Sequence, residues 1–493
     1  MIAGSAHYDV VVIGSGPAGQ NAAMEAARHG RRVLIVERER EVGGACVQYG
    51  TIPSKTLRET AVTLTAFRRR SGGIYEISHD SRLSISSLMT RLEEVVRAHQ
   101  RTAQECLNMS GVETAFGRAS FVSPHEVRIQ AVSGDSRTVE ADHVVIATGS
   151  RPRNPPEIPV DHENILDSDS VLSMSYLPQS LIVVGSGVIA CEYASTFASL
   201  GVRVVMIDKY PAPLGFLDRD LIAVYLQRFS ESGGRFLGNS PIATMEWDHV
   251  SSVRVTLESG EIVTADKALV AQGRVANLDS LNIDRAGLQA NDRGLLTVDE
   301  FCRTSVSHIY AVGDTIGPPA LASASMEQGR RAMCHAFSGT LPPMSGLIPA
   351  GIYTIPEMAT IGLTESQAVK QYGGAIVGRA DFSRMARAHI MALSTGLLKL
   401  VADPTGEKLL GVQIAGDGAT ELVHLGQMAL LGNMSVDTFA TTVFNFPTLA
   451  EGYRLAALDI LQQRKQKSGS LRPDEARSTH RPAVVSVHRT VVR

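Results

Sequence analysis

Apolar runs of four or five residues alternate along the chain with glycine turns and alanine-rich stretches, and the pattern is clearest at the start. Val10 to Ile13 read as a strand, Gly14-Ser15-Gly16-Pro17-Ala18-Gly19 as a turn, the alanine-rich run after it as a helix, and Arg32 to Val36 as a second strand ending at Glu37. Strand, turn, helix and strand in that order form the repeating unit of a parallel sheet. The order returns in LIVVGSGVIACEYASTFASLGVRVVMIDK, where Gly185-Ser186-Gly187-Val188-Ile189-Ala190 follows one strand and Asp208 ends the next. Between the two, Val144 to Ala147 run into Thr148-Gly149 and a proline-rich exit, and further on HIYAVGDTIG sets Gly313-Asp314 after a short apolar strand, with helical character from about Ala322. The pattern predicts an α/β chain with two Rossmann-like folds.

Each turn has the composition that a dinucleotide requires. The first glycine permits the sharp bend, the second lets a pyrophosphate approach the backbone, and the third lets helix and strand pack closely. The helix N-terminus adds free amide donors and a partial positive charge. Glu37 lies 23 positions after Gly14, and Asp208 lies 23 after Gly185, where a carboxylate can accept from ribose hydroxyls. One such fingerprint is weak evidence, but two at equal spacing imply two dinucleotides. Asp314, at a strand end beside a helix start, suits a ribityl hydroxyl.

Composition narrows the partners. At 493 residues the chain suggests about three domains. Its 47 basic and 50 acidic side chains leave a formal charge of -3, so nothing draws it as a whole to nucleic acid or an anionic membrane. The cysteines Cys46, Cys106, Cys191, Cys302 and Cys334 are scattered, odd in number and without a C-x-x-C pair, which argues against a metal centre and a secreted disulfide framework. The start lacks an export signal and no apolar stretch is long enough to span a bilayer, so a cytoplasmic protein is expected. After about Gln463 the chain becomes charged and aperiodic, and 465–493 is expected to be a disordered basic tail.

With these residues in hand, the chain resembles the flavoprotein disulfide reductase superfamily from about Tyr8 to about Leu461. The carriers are the two fingerprints, ATGS at 147–150, YAVGD at 310–314 and GGACVQYGTIPSK at 43–55. The likeness is strongest to the soluble pyridine nucleotide transhydrogenase branch, through GTIPSKTLRE at 50–59, SDSVLSM at 168–174, LASASMEQGR at 321–330, GIYTIPE at 351–357 and FNFPTLAEGYRLAAL at 444–458. The resemblance implies a discontinuous FAD domain (1–155 and 276–345), an NAD(P) domain (156–275) and an α+β dimerisation domain (346–464), hence a homodimer or larger homo-oligomer. It implies FAD contacts from Gly14, Gly16, Gly19, Glu37, Arg38, Gly43, Gly44, Cys46, Lys55, Gly117, Thr148, Gly149, Gly313, Asp314 and Ala322. NAD and NADP, as substrates, would meet Gly185, Gly187, Glu192, Asp208, Lys209 and Gly273.

The chain departs from the disulfide enzymes at its centre. Those enzymes have a second cysteine where Thr51 stands here, and an acid-base histidine where Phe446 stands, although Glu451 remains. Cys46 alone cannot form the redox disulfide, so dithiol reduction is not expected. Direct hydride transfer between NADPH and NAD+ by a ping-pong route needs neither residue. Lys55 and Glu192 match the family's ion pair near flavin N5, and with Cys46 and Glu451 they make up the candidate catalytic set. Asp208 suits NAD better than NADP, for which Lys209, Arg203 and Arg219 are the available cations. The alternatives are an NAD(P)H diaphorase or quinone reductase on the same flavin, and a flavin-loaded sensor that has lost catalysis.

Overall fold

The two repeated units each lie at the heart of a parallel sheet. The computed structural model describes residues 6–71, 85–339 and 341–467. In the first sheet, Ala6–Ile13 sits between Val33–Glu37 and Ser136–Ile146, parallel to both. The first strand begins four residues before the apolar run, because Ala6 to Tyr8 pair with Val139 to Ala141. Glu113–Phe116 extends the sheet on one side, and Ile309–Ala311 pairs in parallel with the far end of Ser136–Ile146. A hairpin, Arg118–Ser123 and Glu126–Gln130, continues antiparallel from the near end of that strand. Strands that are covered on both faces read as continuous apolar runs. Val10, Val11, Val12 and the whole of Val33–Glu37 are accordingly buried.

The second sheet is all parallel, in the order Gly234–Leu237, Arg203–Ile207, Ser180–Val184, Lys267–Val270, Ile165–Asp167. An antiparallel three-stranded sheet, Ile242–Trp247, Val253–Leu257 and Ile262–Ala265, shares a core with it through Met245, Val255 and Ile182. Arg274–Ala276 pairs with Ser150–Pro152.

The division into two compact units falls between Glu357 and Met358. Within the second unit, Met358–Gly362, Leu409–Ala415, Leu397–Ala402 and Ile376–Asp381 form an antiparallel sheet. Helices Ala419–Leu431 and Glu451–Lys467 belong to the same unit. This is the α+β composition expected of the C-terminal part. The last helix corrects the expected tail by three residues, since it continues through Lys467. Arg464 bonds Asp437 at 2.8 Å and Glu407 at 3.3 Å, and Arg464, Lys465 and Lys467 place positive charge at the helix C-terminus, where the backbone dipole favours it. The rest of the expected tail lies outside the described residues. Among the described residues, no helix is long and apolar enough to cross a membrane.

Helix Pro17–Arg28 carries the first fingerprint and packs along Ala322–Ser338. The two approach so closely that a Cβ on Gly329 would lie 2.1 Å from the carbonyl oxygen of Ala18. Overpacking of this kind costs about 1–3 kcal/mol. Gly329→Ala is therefore expected to lower the stability measured in urea by that amount, and to weaken retention of flavin by pushing the fingerprint helix off the sheet. Equilibrium unfolding and flavin content after gel filtration measure both.

Candidate functional site

The first fingerprint forms a cradle in which two of the three glycine positions have no room for a side chain. A Cβ on Gly14, at φ +103°, would fall 2.4 Å from the oxygen of Ala147, and one on Gly19 would fall 1.9 Å from that of Gly14. Gly16 faces open space, with nothing within 4 Å of where its Cβ would be. Gly43 and Gly44 close the other side: the Gly43 N–H donates to Ser15 Oγ at 3.1 Å, and a Cβ on Gly44 would lie 2.7 Å from Gly16 Cα. Glu37 is only 4% exposed, and its carboxylate accepts from Ser15 Oγ at 2.5 Å, Ser15 N at 2.9 Å and Glu39 N at 2.9 Å.

The other expected contacts of the first fold fall into two groups. Gly117 donates its N–H to the Glu37 carbonyl at 2.7 Å and so lies at the Glu37 end, where Arg38 pairs with Glu39 at 3.2 Å. Thr148 and Gly149 follow the strand that ends beside Gly14. Gly313 packs near Ala18 and donates to Gln328 Oε1 at 2.9 Å, Asp314 accepts from the Ser150 hydroxyl, and Ala322 opens its helix. The Thr148 hydroxyl is buried without a hydrogen-bond partner. A free backbone edge, a fixed carboxylate and an unsatisfied buried hydroxyl fit a dinucleotide such as FAD.

The candidate catalytic residues come from distant parts of the chain. Cys46 lies in the short helix Gly44–Gln48, and Thr51 starts Thr51–Ser71. The Thr51 side chain stands next to the Cys46 thiol, where it partly offsets the effect of burial. Burial pushes the Cys46 thiol above its usual range, although the Thr51 contact and the charge of Lys55 pull the other way. One turn on, Lys55 Nζ meets Glu192 Oε2 at 2.6 Å. The two side chains are 24% and 10% exposed, so water screens this pair far less than a surface one. Glu451, the remaining catalytic candidate, opens the last helix of the second unit and is half-buried, and Phe446 is 68% exposed.

The second fingerprint repeats the first. A Cβ on Gly185 would meet the Ala271 oxygen at 2.5 Å, whereas Gly187 and Gly273 face open space. Asp208 accepts from Ser186 Oγ at 2.6 Å and Tyr210 N at 3.1 Å, as Glu37 does from Ser15 and Glu39. Sequence reasoning missed both serines, although the shared G-S-G with its acid 22 residues after the serine was the signal for them. Among the suggested cations, Lys209 lies over the Tyr210 ring at 5.4 Å and Arg219 opens the helix Arg219–Glu231. Arg203 is a correction: it starts the strand after which Asp208 comes, about five residues or 16 Å away.

A second cluster, Glu25, His29 and Cys334, brings a carboxylate, an imidazole and a thiol within 4.8 Å of one another. Arg28 pairs with Glu25 at 2.9 Å and Arg330 reaches Cys334 Sγ at 3.4 Å. Two guanidinium groups already supply the positive charge that a cation would bring, and the Cys334 thiol donates to Glu25 at 3.0 Å, so the cluster is a satisfied helix contact.

Comparison with known proteins agrees with this geometry. The family described as pyridine nucleotide-disulphide oxidoreductase matches residues 8–329, and its dimerisation domain matches 348–457. A soluble pyridine nucleotide transhydrogenase of Mycobacterium tuberculosis is 40% identical over 459 residues, covering 92% of this chain and 97% of its own. One of Yersinia enterocolitica is 39% identical over 465 residues, covering 93% and 98%. The crystal structure of LpdA from Mycobacterium tuberculosis superposes with a TM-score of 0.83 at 29% identity, covering 92% and 99%. The HOCl-induced flavoprotein disulfide reductase RclA of Escherichia coli, at 24% identity and a TM-score of 0.82 with the same coverage, shares the fold. The chain is an FAD-dependent oxidoreductase of the pyridine nucleotide-disulphide oxidoreductase family and belongs among its soluble pyridine nucleotide transhydrogenases.

Proposed function

We propose that the protein transfers hydride between NADPH and NAD+ through FAD, without a redox disulfide. One observation carries the reading: an intact Lys55–Glu192 pair stands beside a Cys46 whose neighbour is the hydroxyl of Thr51. When bound, FAD supplies a ring that takes hydride from one nicotinamide and yields it to another. The fold of 1–155 and 276–345 holds it, through the Gly14–Gly19 cradle, Glu37, Thr148 and Asp314. The fold of 156–275 offers one dinucleotide cradle, at Gly185, Gly187 and Asp208, so donor and acceptor occupy it in turn. Lys55 places its cation where negative charge develops, and Glu192 keeps it there. Beside Cys46, Gly43 and Gly44 allow the close backbone approach, a role that needs no sulfur, and a structural role for Glu451 is at least as well supported as a catalytic one. The 346–464 part joins two copies, which accounts for the exposed Leu425, Met428 and Leu431 on one helix and Leu455 and Leu458 on another.

A second reading, an NAD(P)H diaphorase or quinone reductase, is favoured by Asp208 alone, whose carboxylate would repel a 2'-phosphate. Fast quinone reduction with no transfer from NADPH to an NAD analogue would decide for it.

Anaerobic titration of the FAD-loaded protein with NADH tests the missing disulfide. Full bleaching at two electrons per flavin is expected, and a requirement for four would overturn the reading. Asp208→Asn should raise the ratio of kcat/KM for NADPH to that for NADH by about tenfold, measured as initial rates with one acceptor. Because burial opposes the thiolate, alkylation of Cys46 in a Cys106→Ser background should be slow at pH 7. Its pH midpoint should lie above the value of about 8.5 for a free thiol.

A further inference from the structure

Two stretches have no part in the proposed chemistry: Arg58, near the end of GTIPSKTLRE, and GIYTIPE at 351–357. They interlock. The Arg58 guanidinium, in a residue only 5% exposed, donates from Nε and NH2 to the Thr354 carbonyl at 3.3 and 3.2 Å, and its NH1 meets Glu357 at 3.0 Å. Glu59 pairs with the same guanidinium from an exposed position. The Thr354 hydroxyl donates to the Pro356 carbonyl at 2.6 Å, and Ser195 Oγ accepts from the Ile355 N–H at 3.1 Å.

Held in this way, the segment runs past the ion pair. The Tyr353 N–H donates to Glu192 Oε1 at 2.8 Å, which leaves Oε2 for Lys55. The Tyr353 ring lies 5.1 Å from Lys55 Nζ, within the range of a cation–π contact. Lys55 and Arg58 are three residues apart on one helix, and Glu192 and Ser195 are three apart on another, a spacing that shares a helix face. Each helix thus gives one residue to the pair and one to the segment. Two long side chains do not hold a single geometry unaided, because fixing their rotamers costs entropy. Thr51 cannot cross-link to Cys46, so the helix that carries Lys55 has no covalent anchor at its start.

We propose that Tyr353–Glu357 is a positioning strap, locked by Arg58 and Ser195, that fixes the Lys55–Glu192 pair. The inference rests on the reading that this pair faces bound FAD. It is tested by the midpoint potential of FAD in the full-length loaded protein, together with kcat and KM. Lys55→Met should lower the potential, since a nearby cation favours electron uptake. Arg58→Met and Tyr353→Leu should shift it the same way, and lower kcat about tenfold with KM changed by less than about twofold. Arg58→Lys should recover part of the shift, and Glu59→Gln should leave the potential where it was. If Lys55→Met shifts the potential while Arg58→Met and Tyr353→Leu change only thermal stability, the strap is overturned and the placement of the pair stands. If Lys55→Met leaves the potential unmoved, that placement fails, and the strap with it. Should Arg58→Met not fold, Tyr353→Leu, at a half-buried residue, separates the same outcomes.

Discussion

A charge pair mostly withdrawn from water has to be built into its surroundings, and the site follows from how that is done for Lys55 and Glu192. Removing water costs each ion several kcal/mol, which their attraction repays only with good geometry and with the spare lone pairs satisfied. Here the second carboxylate oxygen of Glu192 takes a backbone N–H, and the lysine lies against an aromatic ring. The two residues are 137 positions apart, so the pair exists only when helices Thr51–Ser71 and Val188–Ser199 are brought together. Breaking such a pair by removing one partner costs about 3–5 kcal/mol. Fold and ion pair are therefore mutually dependent.

The two nucleotide cradles solve a different problem, the approach of anionic phosphates to a backbone. Side chains must be absent where the glycines stand, and the acid that ends the next strand must keep a fixed position. In both folds the serine between the first two glycines holds that acid, at 2.5 Å for Glu37 and 2.6 Å for Asp208. The difference lies in exposure: Glu37 is buried, and Asp208 is half-buried at the edge of its cradle. A partly exposed carboxylate is the more sensitive to what binds beside it, which is why the 2'-phosphate question centres on Asp208.

A threonine beside Cys46 also bears on how this part of the chain is held together. Cys46 is a free thiol with Thr51 beside it, and that contact does not staple the chain as a disulfide would. Between Lys55 and Glu357 the structure substitutes many weaker links, most of them to backbone groups of Tyr353, Thr354 and Ile355. A buried arginine suits that task because its planar fork satisfies a carbonyl and a carboxylate at once.

The sequence by itself determined the two repeated strand-turn-helix-strand units and their glycine cradles, because these depend on local period and spacing, whereas the missing partner of Cys46 was read through family likeness. Apolar runs, glycine positions and an acid at a fixed offset are written within a short span of chain. It also pointed to Lys55 and Glu192 one by one, through family likeness. Only the tertiary structure decided that they meet and that Arg58 and Tyr353–Glu357 join them. The physical reason is range: periodicity records which face of an element is buried, but not which distant side chain it is buried against.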